Sequence, residues 1–281
     1  MGIILSGKTM SEELTRGQIK RVEELHQKGI TPGLSVVLVG DDAGSQIYVR
    51  NKGLACQAIG IYSRTIQLSA QTSQDELLQV IDALNADPLI SGILVQLPMP
   101  KHLDEAAVLA RILPQKDVDG FHISNAGKLF TGQESVVACT PKGIMHMLKQ
   151  GGVPLSGKEA VVIGRSNIVG KPIAMLLLNE NCTVTVCHSK THDLKAHTRR
   201  ADILVAAIGK PRFVTADMVK PGAAVVDVGI NRVDGKVVGD VDFDAVKDIA
   251  GFITPVPGGV GKLTISMLME NTLEAACRQA R

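Results

Sequence analysis

The sequence predicts an α/β protein of two parallel-sheet domains, the second Rossmann-like. Three observations carry that prediction. From residue 34 onward, short β-branched runs alternate with longer helical patterns, as successive βαβ units require. The runs are nearly continuous in apolar residues, as expected of parallel strands covered on both faces. The alternation comes as two series parted by Gly151-Gly152 in a chain of 281 residues, and at roughly 150 residues per domain that length suggests two cores.

The elements follow in order. Residues 34–39 read as a strand, 45–59 as a helix closed by Gly60, and 62–68 as the next strand. Ser73 opens a helix with a capping box, because Glu76 lies three residues on and reaches back to the cap. Residues 93–97 form the third strand and 104–112 a further helix. In the second series, strands are expected at 161–163, 183–187, 203–207 and 224–228, with helices between them. Residues 264–281 read as one amphipathic helix that folds back onto the first domain. In parallel sheets, ligands collect beyond the carboxyl ends of the strands. Chemistry is therefore expected in the loops after Val39, Leu97, Ile163, Cys187, Ala207 and Val228.

Composition narrows the class of function. Lys plus Arg is 30 against 28 Asp plus Glu, with 2% aromatics, so the basic footprint and stacking surface of a nucleic-acid binder are missing. No apolar run approaches the ~18 residues of a membrane span. Met1-Gly2-Ile3-Ile4-Leu5-Ser6 matches a loose myristoylation pattern, but one acyl chain anchors only marginally. The five cysteines include no Cys-x-x-Cys, which fits a reducing, cytoplasmic compartment better than a disulfide framework. Cys182, Cys187, His188 and His192 suggest zinc only weakly, since two of them are adjacent. Asp240, Asp242 and Asp244 mimic the start of an EF-hand, but Ala245 stands at its glycine position and Gly251 at its final glutamate position. No metal is expected.

Strand 161–163 runs into Gly164-Arg165-Ser166-Asn167-Ile168-Val169-Gly170-Lys171-Pro172. A tight glycine turn between strand and helix lets backbone amides meet a phosphate. The P-loop reading fails, because five residues separate Gly164 from Gly170 and Pro172 stands where a hydroxyl is required. A Rossmann reading fits better, although Ser166 replaces the middle glycine. The next strand ends in Cys187-His188-Ser189-Lys190, with no carboxylate to hold a ribose 2′-hydroxyl or repel a 2′-phosphate. With Arg165 available to pair with that phosphate, the sequence points to NADP.

On the helix from Ser45, with Ile47 taken as zero at 100° per residue, Leu54 and Ala58 fall within about 20° and define the expected core face. Ser45, Tyr48 and Lys52 then share a polar stripe beside it. A hydroxyl, a phenol and an amine grouped there suit proton transfer, since burial lowers a lysine pKa toward neutrality; a solvated face with a snorkelling lysine is the alternative. Gln96, at the end of an apolar run, and Asp119, on a glycine turn, point to the same sheet edge. Both also have purely structural readings, as a strand-end amide and a turn cap.

Five stretches together resemble the bifunctional methylenetetrahydrofolate dehydrogenase/cyclohydrolase family: residues 44–52, 92–98, 116–120, 164–172 and 254–261. The resemblance implies two α/β domains with the active site in the cleft between them: a folate-binding catalytic domain of 1–138 plus 264–281 and an NADP-binding domain of 139–263. It implies Lys52 as the catalytic lysine, Tyr48 as the ring beside the folate, Gln96 as the lysine's partner and Asp119 as the pterin anchor. Ser45, Val95, Leu97, Pro98, Pro257, Gly258 and Gly259 would complete the folate site. Gly164, Arg165, Ser166, His188, Ser189 and Ile230 would contact NADP. It further implies folate substrates and a homodimer through the nucleotide domain. One departure is Lys262-Leu263 where the family commonly has Pro-Met; with Thr264 retained, a loop is expected there. An NADP-dependent dehydrogenase lacking hydrolase activity, or a non-catalytic folate or nucleotide binder, are the competing readings.

Overall fold

A computed structural model describes residues 2–280. In chain order the elements are β1 (Ile3–Ile4), α1 (Gly7–Gln27), β2 (Gly33–Val39), α2 (Ala43–Ile59), β3 (Tyr62–Leu68), α3 (Gln74–Ala86), β4 (Gly92–Val95), α4 (Glu105–Arg111), α5 (Ile123–Phe130) and α6 (Cys139–Gln150). They continue with β5 (Glu159–Ile163), α7 (Gly170–Asn179), β6 (Thr183–Cys187), α8 (Leu194–Thr198), β7 (Ile203–Ala206), β8 (Ala224–Asp227), β9 (Asn231–Val233), β10 (Lys236–Val238), α9 (Phe243–Val246), β11 (Phe252–Ile253) and α10 (Val260–Gln279). The chain forms two compact units, one of Glu13–Cys139 with Ile265–Arg281 and one of Met1–Glu12 with Thr140–Thr264.

The first of these is built on a parallel three-stranded sheet in the order β3-β2-β4. All seven residues of the central strand β2 are buried, because helices cover both its faces. Leu34, Val36, Leu38 and Leu94 pack with Val49, Cys56 and Ile59 of α2 and with Met267 to Met269 and Leu273 of α10. On the other face, Val37, Val39, Ile93 and Val95 pack with Leu77, Ile81 and Leu84 of α3 and Val108 of α4. The predicted capping box is present: Ser73 Oγ accepts the Glu76 amide and the Glu76 carboxylate accepts the Ser73 amide at 2.8 Å. Gly60 ends α2 at φ 87°, a left-handed position that glycine occupies without steric cost.

The second unit holds a six-stranded parallel sheet in the order β1-β11-β8-β7-β5-β6. Residues 2–12, which the sequence assigns to the folate domain, group here because β1 pairs with β11 at the sheet edge. From β5 the chain steps outward to β6 and then returns to β7 on the other side. That reversal opens a crevice at the carboxyl ends of β5 and β7. In the first unit the same reversal places β3 and β4 on opposite sides of β2.

Two further expectations are corrected. Helix α10 begins at Val260, not Thr264, so Lys262 stands exposed in its first turn and Leu263 is fully buried. No loop forms at 261–263. On α2, Ile47 and Leu54 are 53% and 52% exposed and Ala58 is exposed too, whereas Ser45, Val49, Cys56 and Ile59 are buried. The true core face is the one that carries Ser45 and Lys52.

Candidate active site

Helix α2 starts under Asp42, whose carboxylate accepts the Ser45 amide at 2.8 Å. From there Ser45, Val49, Lys52, Cys56 and Ile59 recur at three- and four-residue spacing, one face of a helix. Ser45 is buried, Lys52 half-buried, and Tyr48, a step around the helix, is 44% exposed. The face brings Lys52 to the carboxyl end of β4, where its Nζ donates to Gln96 Oε1 at 2.9 Å. Gln96 is itself oriented: its Nε2 donates to Leu97 O at 2.7 Å, and its main-chain amide donates to Val37 O at 2.8 Å. The amide oxygen therefore faces the lysine. Val95 is buried, Leu97 half-buried, Pro98 exposed, and the Leu97–Pro98 peptide is cis.

Asp119 completes the group. Burial pushes its carboxyl pKa up, the nearby Lys52 charge pulls it down, Asp117 adds to the rise, and a hydrogen bond from Cys139 lowers it. Lys52, Gln96 and Asp119 thus converge at the strand reversal of one unit. The turn that carries Asp119 is built by Asp117, whose carboxylate accepts the amides of Gly120, Phe121 and His122 and the side chain of Asn125. Lys116 is buried and donates to Leu84 O and Asp87 O at the end of α3. Its pKa is lowered by burial, against the pull of Asp87, and its role is to close the helix.

In the other unit, Gly164 leaves β5 at φ 125°, and a Cβ there would lie 2.2 Å from Ala207 O. A Cβ on Gly170 would lie 2.4 Å from Gly164 O. Both positions exclude any side chain. Ser166 Oγ accepts the amides of Val169 and Gly170 at 3.2 Å, closing the turn into α7. Arg165, Ser166 and Ser189 are exposed, and His188 is half-buried with its amide bonded to Thr191 Oγ1. No carboxylate stands within 188–190. This donor set and the tight glycine turn fit a dinucleotide bearing a 2′-phosphate.

The loops around that crevice are shaped by two buried aspartates that sequence reading missed as site builders. Asp240 accepts the amides of Ile208, Gly209 and Lys210 after β7, and Asn231 Nδ2. Asp227 accepts those of Gly229, Asp240 and Val241. The sequence did carry a signal, since Gly229 and Gly239 each abut one of these carboxylates so closely that no Cβ fits. Ile230 is exposed beyond them. Pro257 follows a cis bond, Gly258 has φ 106°, and the Gly258 carbonyl accepts the Lys8 amide. Among the described residues, no cluster of His, Cys, Asp or Glu is arranged to hold a metal.

A family model described as the tetrahydrofolate dehydrogenase/cyclohydrolase catalytic domain matches residues 5–119, and the model of that family's NAD(P)-binding domain matches 138–280. The chain belongs to the tetrahydrofolate dehydrogenase/cyclohydrolase family. Among its relatives, the bifunctional protein FolD of Dechloromonas aromatica is 61% identical over 278 residues, covering 99% of this chain and 98% of that one. The crystal structure of the bifunctional FolD dehydrogenase/cyclohydrolase from Campylobacter jejuni is 48% identical with a TM-score of 0.98, covering 99% of both chains. The FolD of Trypanosoma brucei, solved with NADP cofactor and an inhibitor, is 39% identical with a TM-score of 0.95, covering 100% of this chain and 99% of that one. As a dehydrogenase/cyclohydrolase, the chain carries both of the family's domains.

Proposed function

We propose that the protein oxidises 5,10-methylenetetrahydrofolate with NADP and hydrolyses the resulting 5,10-methenyl cation to 10-formyltetrahydrofolate, with Lys52 moving the protons. The observation that carries this reading is the 2.9 Å contact between Lys52 Nζ and the oriented Gln96 amide, with the Asp119 carboxyl beside it. NADP supplies a hydride acceptor when bound. The chain's own residues hold the folate and manage water. Asp119 suits the adjacent ring N–H and amino donors of a pterin, Tyr48 offers a ring face, and Ser45, Val95, Leu97, Pro98 and Pro257 to Gly259 are assigned to the same substrate. Arg165, Ser166, His188 and Ser189, with Gly164 and Ile230, are assigned to NADP.

Hydride transfer removes a hydrogen with its electron pair and needs orientation. Hydrolysis needs more. Water adds to the methenyl carbon and loses a proton to give a carbinol; its hydroxyl then gives up the second proton as C=O forms, and the bond from that carbon to N5 breaks as N5 gains a proton, so that one proton is released overall. A single amine that accepts and returns a proton serves both steps, and Gln96 keeps it pointed at the folate. Lys52→Met preserves length and removes the proton. Cyclohydrolase activity should fall by about 10²–10⁴-fold, with a smaller loss of dehydrogenase activity, both read on purified enzyme. Parallel loss of the two, with folding intact, would mean that the lysine only positions folate.

The assembly proposed is a homodimer through the nucleotide domain. Strand β6 is an open edge of its sheet, with Val186 38% exposed and Leu178 of α7 exposed nearby in sequence, and an open edge invites pairing. Val186→Lys should convert dimers to monomers in analytical ultracentrifugation. The cytoplasm is the proposed location, supported by five free thiols and by the fact that no described helix is long and apolar enough to cross a membrane.

A further inference from the structure

Asn271 stands on α10 with no exposed surface, and its position is unexpected for an amide. A primary amide nitrogen carries two hydrogens. Asn271 Nδ2 spends them on two carbonyls from separate segments, Val118 O at 2.8 Å and Val137 O at 2.9 Å, and lies 3.5 Å from Cys139 Sγ. Val118 immediately precedes Asp119. Val137 lies two residues before Cys139, whose thiol donates to Val118 O at 3.3 Å and lies beside the Asp119 carboxyl. The two segments are pressed together: a Cβ on Gly120 would lie 2.5 Å from the Ala138 amide nitrogen and 2.7 Å from the Val137 carbonyl carbon. While Asp117 gathers the amides on the far side of the Asp119 turn, Asn271 gathers the carbonyls on its near side.

We propose that Asn271 is a positioning residue for the folate site, one that fixes the direction of the Asp119 carboxyl by tying the backbone just before it to the segment carrying Cys139. The proposal rests on the reading of Asp119 as the pterin-binding carboxylate. Asn271 touches no substrate. It acts through the backbone of the turn, so its loss lets the carboxyl rotate away from a bidentate pose while Lys52 and Gln96, held from α2 and β4, keep their contact. That separates the consequences, because folate binding suffers and the proton-transfer pair does not.

Asn271→Leu removes both donors at similar volume, and Asn271→Ser is the milder variant, keeping one donor should the leucine fail to fold. KM for methylene- and methenyltetrahydrofolate should rise at least about tenfold in Asn271→Leu, approaching the loss expected of a misplaced binding group. Asn271→Ser should give a smaller rise, and KM for NADP and kcat at saturating folate should stay close to the parent values. In an Asp119→Asn background, Asn271→Leu should change folate KM by about twofold or less, the non-additivity of residues acting as one unit. Thr272→Val is the control: Thr272 is equally buried but bonds only within its helix, to Leu268 O at 2.8 Å. It should lower thermal stability and leave every KM alone. An unchanged folate KM in both Asn271 variants, with Asp119→Asn raising it, overturns the proposal and leaves the Asp119 reading standing. If Asp119→Asn itself leaves folate KM unchanged, the Asp119 reading fails and the proposal with it.

Discussion

Asp227, 2% exposed at the end of β8, shows what a single residue contributes. Burial raises its pKa to about 6, against the pull of three amide donors and with the neighbouring Asp240 carboxylate adding to the rise. In the unfolded chain an aspartate titrates near 3.8. Between about pH 4 and 6 the folded state therefore binds more proton than the unfolded state, so stability is highest below the unfolded pKa and falls as pH rises through the folded one. A displacement of about two pH units corresponds to about 3 kcal/mol. Urea midpoints should decline from pH 4 to 6.5, and Asp227→Asn should remove that part of the decline; a carboxyl resonance of Asp227 titrating near 4 would refute it. In the sequence, Lys52 stood out by the polar stripe of its helix, Gln96 by interrupting an apolar run and Asp119 by its glycine turn. Asn271 left no such signal, since the carbonyls it binds lie far away in sequence, and Asp240 was marked only by the glycines that abut it and Asp227.

At the scale of elements, α2 shows where periodicity stops deciding. Ile47, Leu54 and Ala58 form one apolar set at helical spacing, and Val49, Cys56 and Ile59 form another. Pattern alone cannot rank two such faces, and packing against Leu34, Val36 and Leu38 of β2 selects the second. Lys52 consequently lies on the buried stripe, which is what aims it at Gln96. Leu54→Glu should shift unfolding free energy by no more than about 0.5 kcal/mol, as surface changes do. Ile59→Ala should cost about 2–5 kcal/mol as a core truncation. The reverse ranking in urea denaturation would restore the first face. The capping box of α3 was legible because its two partners are local. The start of α10 was not, because Gly258, Gly259 and Gly261 argue against a helix that the buried Leu263 nonetheless anchors.

Across the whole molecule, both units repeat one device: the first strand of a parallel series lies between its successors, and the functional loops leave the strands on either side of that reversal. The parallel sheets and the loops at their carboxyl ends followed from the alternation of runs and helices, whereas the strand order and the pairing of β1 with β11, which joins residues about 250 apart, left no local trace. The device also separates the two activities in their ligand requirements, since hydride transfer needs both folate and NADP while hydrolysis of a supplied methenyl cation needs folate alone. Two variants in the nucleotide unit exploit this. Arg165→Ala should weaken NADP by about 1.5–3 kcal/mol, the worth of a hydrogen bond to a charged group, and leave NAD nearly unaffected. Gly164→Ala forces a side chain into φ 125° and against Ala207 O, where no rotamer relieves it, so the turn must distort. KM for NADP should rise at least tenfold, by about 1.4 kcal/mol or more, while hydrolysis of added methenyltetrahydrofolate stays within about twofold of the parent, because that step needs no NADP. An equal loss of both activities, with thermal unfolding unchanged, would show that the nucleotide loop governs the folate site directly and that the two chemistries are not separable by ligand.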